Sequence, residues 1–154
     1  MNLGTVALLG DVSIEPAVFG ALAANFNWAV DRAETFARLR AMSAARNVVA
    51  VLFDARNLGV SWNDALESVL AAAPRALPIV CTGFSEAVHW PDLADAGAFC
   101  ELRVPIDEGE ARRCLGFIWA AKREDQIQPP AAPEHAPGMN WRKAAVKFAG
   151  NCKD

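Results

Sequence analysis

Val48-Val49-Ala50-Val51-Leu52-Phe53-Asp54 is the stretch that decides the fold of this chain. Six apolar residues, about the length of a strand, end in one acidic side chain. A run that is apolar at every position predicts a strand buried on both faces, and such strands belong to parallel sheets covered by helices. In open sheets of that kind, ligands bind beyond the carboxyl ends of the strands. Asp54 stands at such an end, which makes it a candidate reactive group.

Similar segments recur on either side. Thr5 to Leu9 reads as a buried strand closed by Gly10-Asp11, and Pro78 to Thr82 as another. Asn27 to Val30 predicts a short strand, and Ala98 to Val104 a fifth. Helical patterns lie between them. Glu15-Pro16 opens the first, continued by Val18, Leu22 and Phe26. Asp31 is expected to cap the second, with Phe36, Leu39 and Met42 on its apolar face. Ser61 caps the third, with Trp62, Leu66, Val69 and Leu70 inward. Ser85 to Ala96 is the fourth, interrupted at Pro91 and closing at Gly97. Asp107 caps the last, with Ala111, Leu115, Ile118 and Trp119 on one face. Strands alternating with helices through short connections predict a parallel sheet with helices on both faces.

The 154 residues suit one domain and a tail, and 53% hydrophobic residues suffice for a core. No run reaches the ~18 apolar residues of a membrane span, and no signal peptide is visible, so a cytoplasmic protein is expected. A net charge of −3 gives no argument for a nucleic-acid partner. Cys81, Cys100 and Cys114 lie in apolar segments and Cys152 near the end, with no C-x-x-C pair. That pattern predicts reduced, packed thiols. The expected domain spans 1–123. Residues 124–138, with four prolines, read as a linker. Residues 139–154 form a short basic tail, with Trp141, Ala145 and Phe148 at helical spacing. It holds four Lys or Arg against one Asp, +3, leaving −6 for the rest.

Asp11, Asp54, Thr82-Gly83 and Pro105, in that order and at those intervals, resemble a response-regulator receiver domain, as does Asp95-Ala-Gly97-Ala98 after the fourth helix. The resemblance covers roughly residues 4 to 121. It implies a flavodoxin-like three-layer α/β sandwich whose five-stranded parallel sheet has the order 2-1-3-4-5, bringing Asp11 and Asp54 to one crevice. It further implies that Asp54 is the phosphoacceptor position, with Asp11 and Asp54 as ligands for Mg²⁺, a hard cation that takes oxygen donors. Thr82 is then the switch hydroxyl, and Gly83 leaves room for a phosphoryl group.

Three positions depart from the family pattern. Gly10 stands where the first strand-one acid is expected, Val104 where the lysine is, and Glu101 where the aromatic switch residue is. A lost electrostatic donor costs phosphoryl transfer roughly 3 kcal/mol, on the order of a hundredfold in rate. Arg56, two residues beyond Asp54, is a possible cationic substitute: in a loop it can swing over Asp54, pair with it in bidentate fashion and fill the volume of a metal. Arg103 falls on the other face of its strand from the missing lysine.

The expectation is therefore a degenerate, stand-alone receiver-like module of two-component signalling and not an enzyme. It would act through protein contacts with weak or absent phosphorylation at Asp54. Its partners would be a histidine kinase or another signalling protein, with a homodimer through the 85–121 face as an option. One alternative is a working Mg²⁺-dependent phosphoacceptor. The other is an unrelated flavodoxin-like domain for a small ligand, although no glycine-rich phosphate loop follows strand one.

Overall fold

The computed structural model describes residues 3–12, 14–83 and 90–127, with side chains as far as 123. The tail at 139–154 and most of the linker lie outside the described residues. Five strands form one parallel sheet: β1 (Gly4–Leu9), β2 (Trp28–Ala33), β3 (Val48–Phe53), β4 (Leu77–Thr82) and β5 (Cys100–Arg103). Their order is β2-β1-β3-β4-β5, the expected flavodoxin-like arrangement. Helices α1 (Pro16–Ala24), α2 (Phe36–Ala45), α3 (Ala55–Leu58), α4 (Trp62–Ala72), α5 (Trp90–Asp95) and α6 (Glu108–Ile127) connect or follow the strands.

Alternation along each buried strand divides the core in two. Val6, Leu8, Leu52, Ile79 and Leu102 face one side, where Phe19 and Leu22 of α1 and Leu115 and Ile118 of α6 cover them. Ala7, Leu9, Val51, Phe53 and Val80 face the other, beneath Leu39 and Met42 of α2 and Leu66 and Val69 of α4. Each fully buried Leu, Ile or Phe contributes roughly 1.5–3 kcal/mol of hydrophobic stabilisation. All six residues of β1, β3 and β4 are buried, which is why β3 is apolar at every position and β1 and β4 carry one threonine each, Thr5 and Thr82.

The boundaries differ from expectation where polar residues intervene. Asn27 takes a left-handed turn (φ 61°), and β2 runs on through Asp31 and Arg32 to Ala33. As an edge strand β2 is half solvated, so polar side chains fit within it. Asp31 therefore does not cap α2. Thr35 does, its hydroxyl oxygen accepting from the Arg38 amide at 3.1 Å. β5 has only four residues, shorter than the 98–104 expected. Of the fourth helix, 84–89 lie outside the described residues, and α5 carries Pro91 in its first turn, where a missing N–H costs nothing. Ser61 and Asp107 cap α4 and α6 as anticipated. α6 continues to Ile127, four residues into the expected linker. Trp119 does not join the α6 core face: it is 42% exposed, with the Arg123 guanidinium 5.0 Å from its ring. Trp28 is buried and stacks on Phe26, while Trp62 and Trp90 pack partly against the second core.

Candidate functional site

The site forms where β1, β3 and β4 end. Leu9 pairs with Phe53 and Phe53 with Val80, so Gly10-Asp11, Asp54 and the Thr82-Gly83 turn leave the sheet as neighbours. Asp54 is 0% exposed. It ends β3 in extended conformation and is the N-cap of α3, a single helical turn where a loop was expected. A carboxylate there satisfies an otherwise orphan amide of the helix start. The Arg56 amide donates to Asp54 Oδ1 at 3.0 Å.

The side chain of Arg56 completes the arrangement. Its Nε donates to Oδ1 at 3.0 Å and its Nη2 to Oδ2 at 2.6 Å. This is a bidentate guanidinium–carboxylate pair with a third, backbone donor on the same carboxylate. A buried carboxylate demands such pairing, because an ionised group without partners is expensive in a low-dielectric interior. The carboxylate is fully buried and the guanidinium side chain is 42% exposed, so the pair closes the pocket from its solvent side.

Gly83 holds the guanidinium from above. A Cβ at position 83 would stand 2.5 Å from Arg56 Nη1 and 3.1 Å from its Cζ. The space that the absence of a side chain leaves over Asp54 is thus filled by Arg56. Gly10 is fixed for a different reason. Its φ of +66° lies in the left-handed region, and a Cβ there would meet Leu58 Cδ2 at 3.0 Å. The backbone at that position disfavours the acid expected in a metal-holding pair.

Asp11 sits in solvent, its side chain 90% exposed and its carboxylate 3.9 Å from Arg32 Nη1. Its backbone carbonyl accepts from Asn57 Nδ2 at 2.5 Å, which ties the end of β1 to α3. Among the described residues no group of three or more His, Cys, Asp or Glu is placed to hold a metal ion.

Thr82 is buried, and its hydroxyl donates to Glu101 Oε1 at 3.2 Å. Glu101 Oε1 also lies 3.4 Å from Arg103 Nε. Glu101 is therefore the partner of the Thr82 hydroxyl, through a polar contact between β4 and β5. In the sequence Glu101 stands out only as a departure from the family pattern. Glu101 is in register with Val80, two residues before Thr82 on the neighbouring strand, so its carboxylate reaches the hydroxyl diagonally, a relation visible only once β4 and β5 are paired. Val104 follows β5, donating its amide to the Thr82 carbonyl at 2.8 Å, and the Val104–Pro105 peptide is cis.

The three cysteines of the described region form no disulfide and are buried. Burial pushes the Cys81 thiol far up. The Cys114 thiol is raised as well, by its hydrogen bond with Cys100 and then by burial. These thiols pack the core beneath β4, β5 and α6.

No known family pattern matches the sequence, and no curated protein is similar to it. Solved structures are similar in fold. A response regulator receiver domain protein from Clostridium thermocellum superposes with a TM-score of 0.61 at 19% identity, covering 79% of this chain and 98% of that one. The signal receiver domain of an HD domain-containing protein from Pseudomonas fluorescens Pf-5 gives 0.61 at 15% identity, covering 84% and 96%. NtrX from Brucella abortus, solved with ADP, gives 0.61 at 12% identity, covering 82% of this chain but 28% of that longer one. Five parallel strands in the order 2-1-3-4-5, with flanking helices on both faces, give this chain the fold of a response-regulator receiver domain, and receiver domains are its structural neighbours.

Proposed function

We propose that this protein is a receiver-type signalling module that works through protein–protein contacts, without phosphoryl transfer to Asp54. One observation carries the reading: the Arg56 guanidinium occupies both Asp54 oxygens and the space over Gly83. A carboxylate attacks phosphorus through an oxygen lone pair, and both oxygens here are committed to a cation held at hydrogen-bond distance. The volume an incoming phosphoryl group needs is filled as well. Receiver neighbours support a role in two-component signalling, regulatory and not catalytic, with a histidine kinase or another signalling protein as partner.

The residues do not fit Mg²⁺. That ion requires several oxygen donors in octahedral geometry. Here Gly10 supplies no carboxylate, Asp54 is paired with Arg56, and Asp11 points into solvent beside Arg32. The charge that Mg²⁺ and a lysine supply to a receiver pocket is supplied to Asp54 by Arg56. Thr82, bound to Glu101, is held within the sheet and not left to follow a phosphoryl oxygen.

The test is an amide NMR titration with beryllium fluoride and Mg²⁺, which together mimic a phosphorylated carboxylate. Amide signals around Asp54, Thr82 and Gly83 are expected to stay in place. Saturable shifts there, absent in Asp54→Asn, would show a working phosphoacceptor instead.

A further inference from the structure

On the face covered by α1 and α6, at the carboxyl end of the sheet, the structure leaves a groove of about 230 Å³. Its apolar walls include Ile14, Val18 and Leu22 from the α1 side and Ile106 from the β5–α6 connection. Val18 is 44% exposed, so the trough presents apolar surface to solvent. Two carboxylates, Glu15 and Glu108, line it, the second also accepting from Arg112 Nη2 at 3.1 Å on the exposed side of α6. An apolar trough edged with negative charge fits an apolar stripe edged with positive charge.

We propose that this groove binds the chain's own carboxyl-terminal segment, residues 139–154. Trp141, Ala145 and Phe148 recur there at helical spacing, and Arg142, Lys143 and Lys147 flank them. The net charge of the segment is +3 against −6 for the remainder of the chain. Apolar anchors at such spacing, set into a hydrophobic groove, are a common mode of peptide recognition. The reach is sufficient. The groove lies at the amino end of α6, and the 20 residues of that helix span about 30 Å. The connection from 128 to 138 holds eleven residues, four of them proline, and at the polyproline rise these reach about 34 Å. The chain is thus long enough to return along α6 and set Trp141 at the groove.

Paramagnetic relaxation in the full-length protein tests this. Cys81, Cys100 and Cys114 are buried, so a nitroxide reagent directed at the native protein reads Cys152. Methyl signals of Ile14, Val18, Leu22 and Ile106 are expected to broaden, and to recover when the nitroxide is reduced. Glu15→Lys with Glu108→Lys is expected to lower the docking equilibrium about three- to tenfold, two surface ion pairs being at stake. No broadening at these methyls, or the same broadening in the doubly charge-reversed variant, would overturn the proposal. A mixture of nitroxide-bearing protein without isotope and isotope-labelled protein without nitroxide should show none. Broadening there would assign the groove to the tail of a second copy and would also overturn it.

Discussion

The Arg56 guanidinium stands where a side chain on Gly83 would have to go, 2.5 Å from Nη1 to the position of its Cβ. The two residues come from different strand ends and are brought together only by the pairing of β3 with β4. Gly83→Ala is therefore expected to displace the guanidinium from Asp54. Because the obstructing atoms are the far end of a flexible side chain, the cost should be moderate, about 1–2 kcal/mol by chemical denaturation. In an Arg56→Ala background the same substitution should be nearly neutral. An equal cost in both backgrounds would show that Gly83 is needed for some other reason.

Asp54 and Arg56 should be strongly coupled. Removing the guanidinium leaves a fully buried carboxylate with one backbone donor. Breaking a fully buried pair costs about 3–5 kcal/mol, and the 42% exposure of Arg56 lets water offset part of that. Arg56→Gln is expected to cost about 2 kcal/mol, and a double-mutant cycle with Asp54→Asn to give a coupling of at least about 1 kcal/mol. Additive single effects would mean that the pair does not organise the pocket.

The polar contact between β4 and β5 makes its own prediction. Thr82→Val keeps shape but removes the donor to Glu101 Oε1. A net loss of about 1 kcal/mol is expected, from the missing hydrogen bond and a less well paired carboxylate. Adding Glu101→Leu should recover part of it, since an apolar pair of similar shape has no polar atom to satisfy. Thermal or urea unfolding of the two variants gives the comparison.

The Asp31–Arg46 pair sets a pH dependence at the far edge of the sheet. The Arg46 hydrogen bond, aided by the Arg32 amide, holds the Asp31 carboxyl below its ordinary value of 3.8. A depressed carboxylate stabilises the fold above its unfolded value and loses that contribution as pH falls through the folded one. The stability difference between the native protein and Asp31→Asn should thus be constant at neutral pH, begin to fall near the unfolded value of about 4, and vanish only below the lowered folded value. Both side chains are substantially exposed, so it should not exceed about 1 kcal/mol and should shrink in high salt.

Much of the fold was legible because β1, β3 and β4 are buried on both faces and so carry no charged residue. β2 was cut short because an edge strand admits Asp31 and Arg32, which in sequence look like a helix start. Trp119 stands four residues after Leu115, at helical spacing, yet it falls at the edge of the apolar stripe, where its ring is 42% exposed. Within the site, strand ends gave Asp11, Asp54 and Thr82. The partner of Thr82 was hidden because Glu101 lies 19 residues away and meets it only through β4–β5 register. Likewise Gly83 was read as room for a phosphoryl group. Which group fills that room depends on the α3 turn, which four residues of sequence do not announce.

On the proposed reading, Arg56 keeps the Asp54 pocket closed to phosphoryl transfer. The intact mass of the 154-residue chain, measured after incubation with acetyl phosphate and Mg²⁺, is then expected to stay unmodified throughout. A phosphoryl adduct that disappears in Asp54→Asn would contradict that reading.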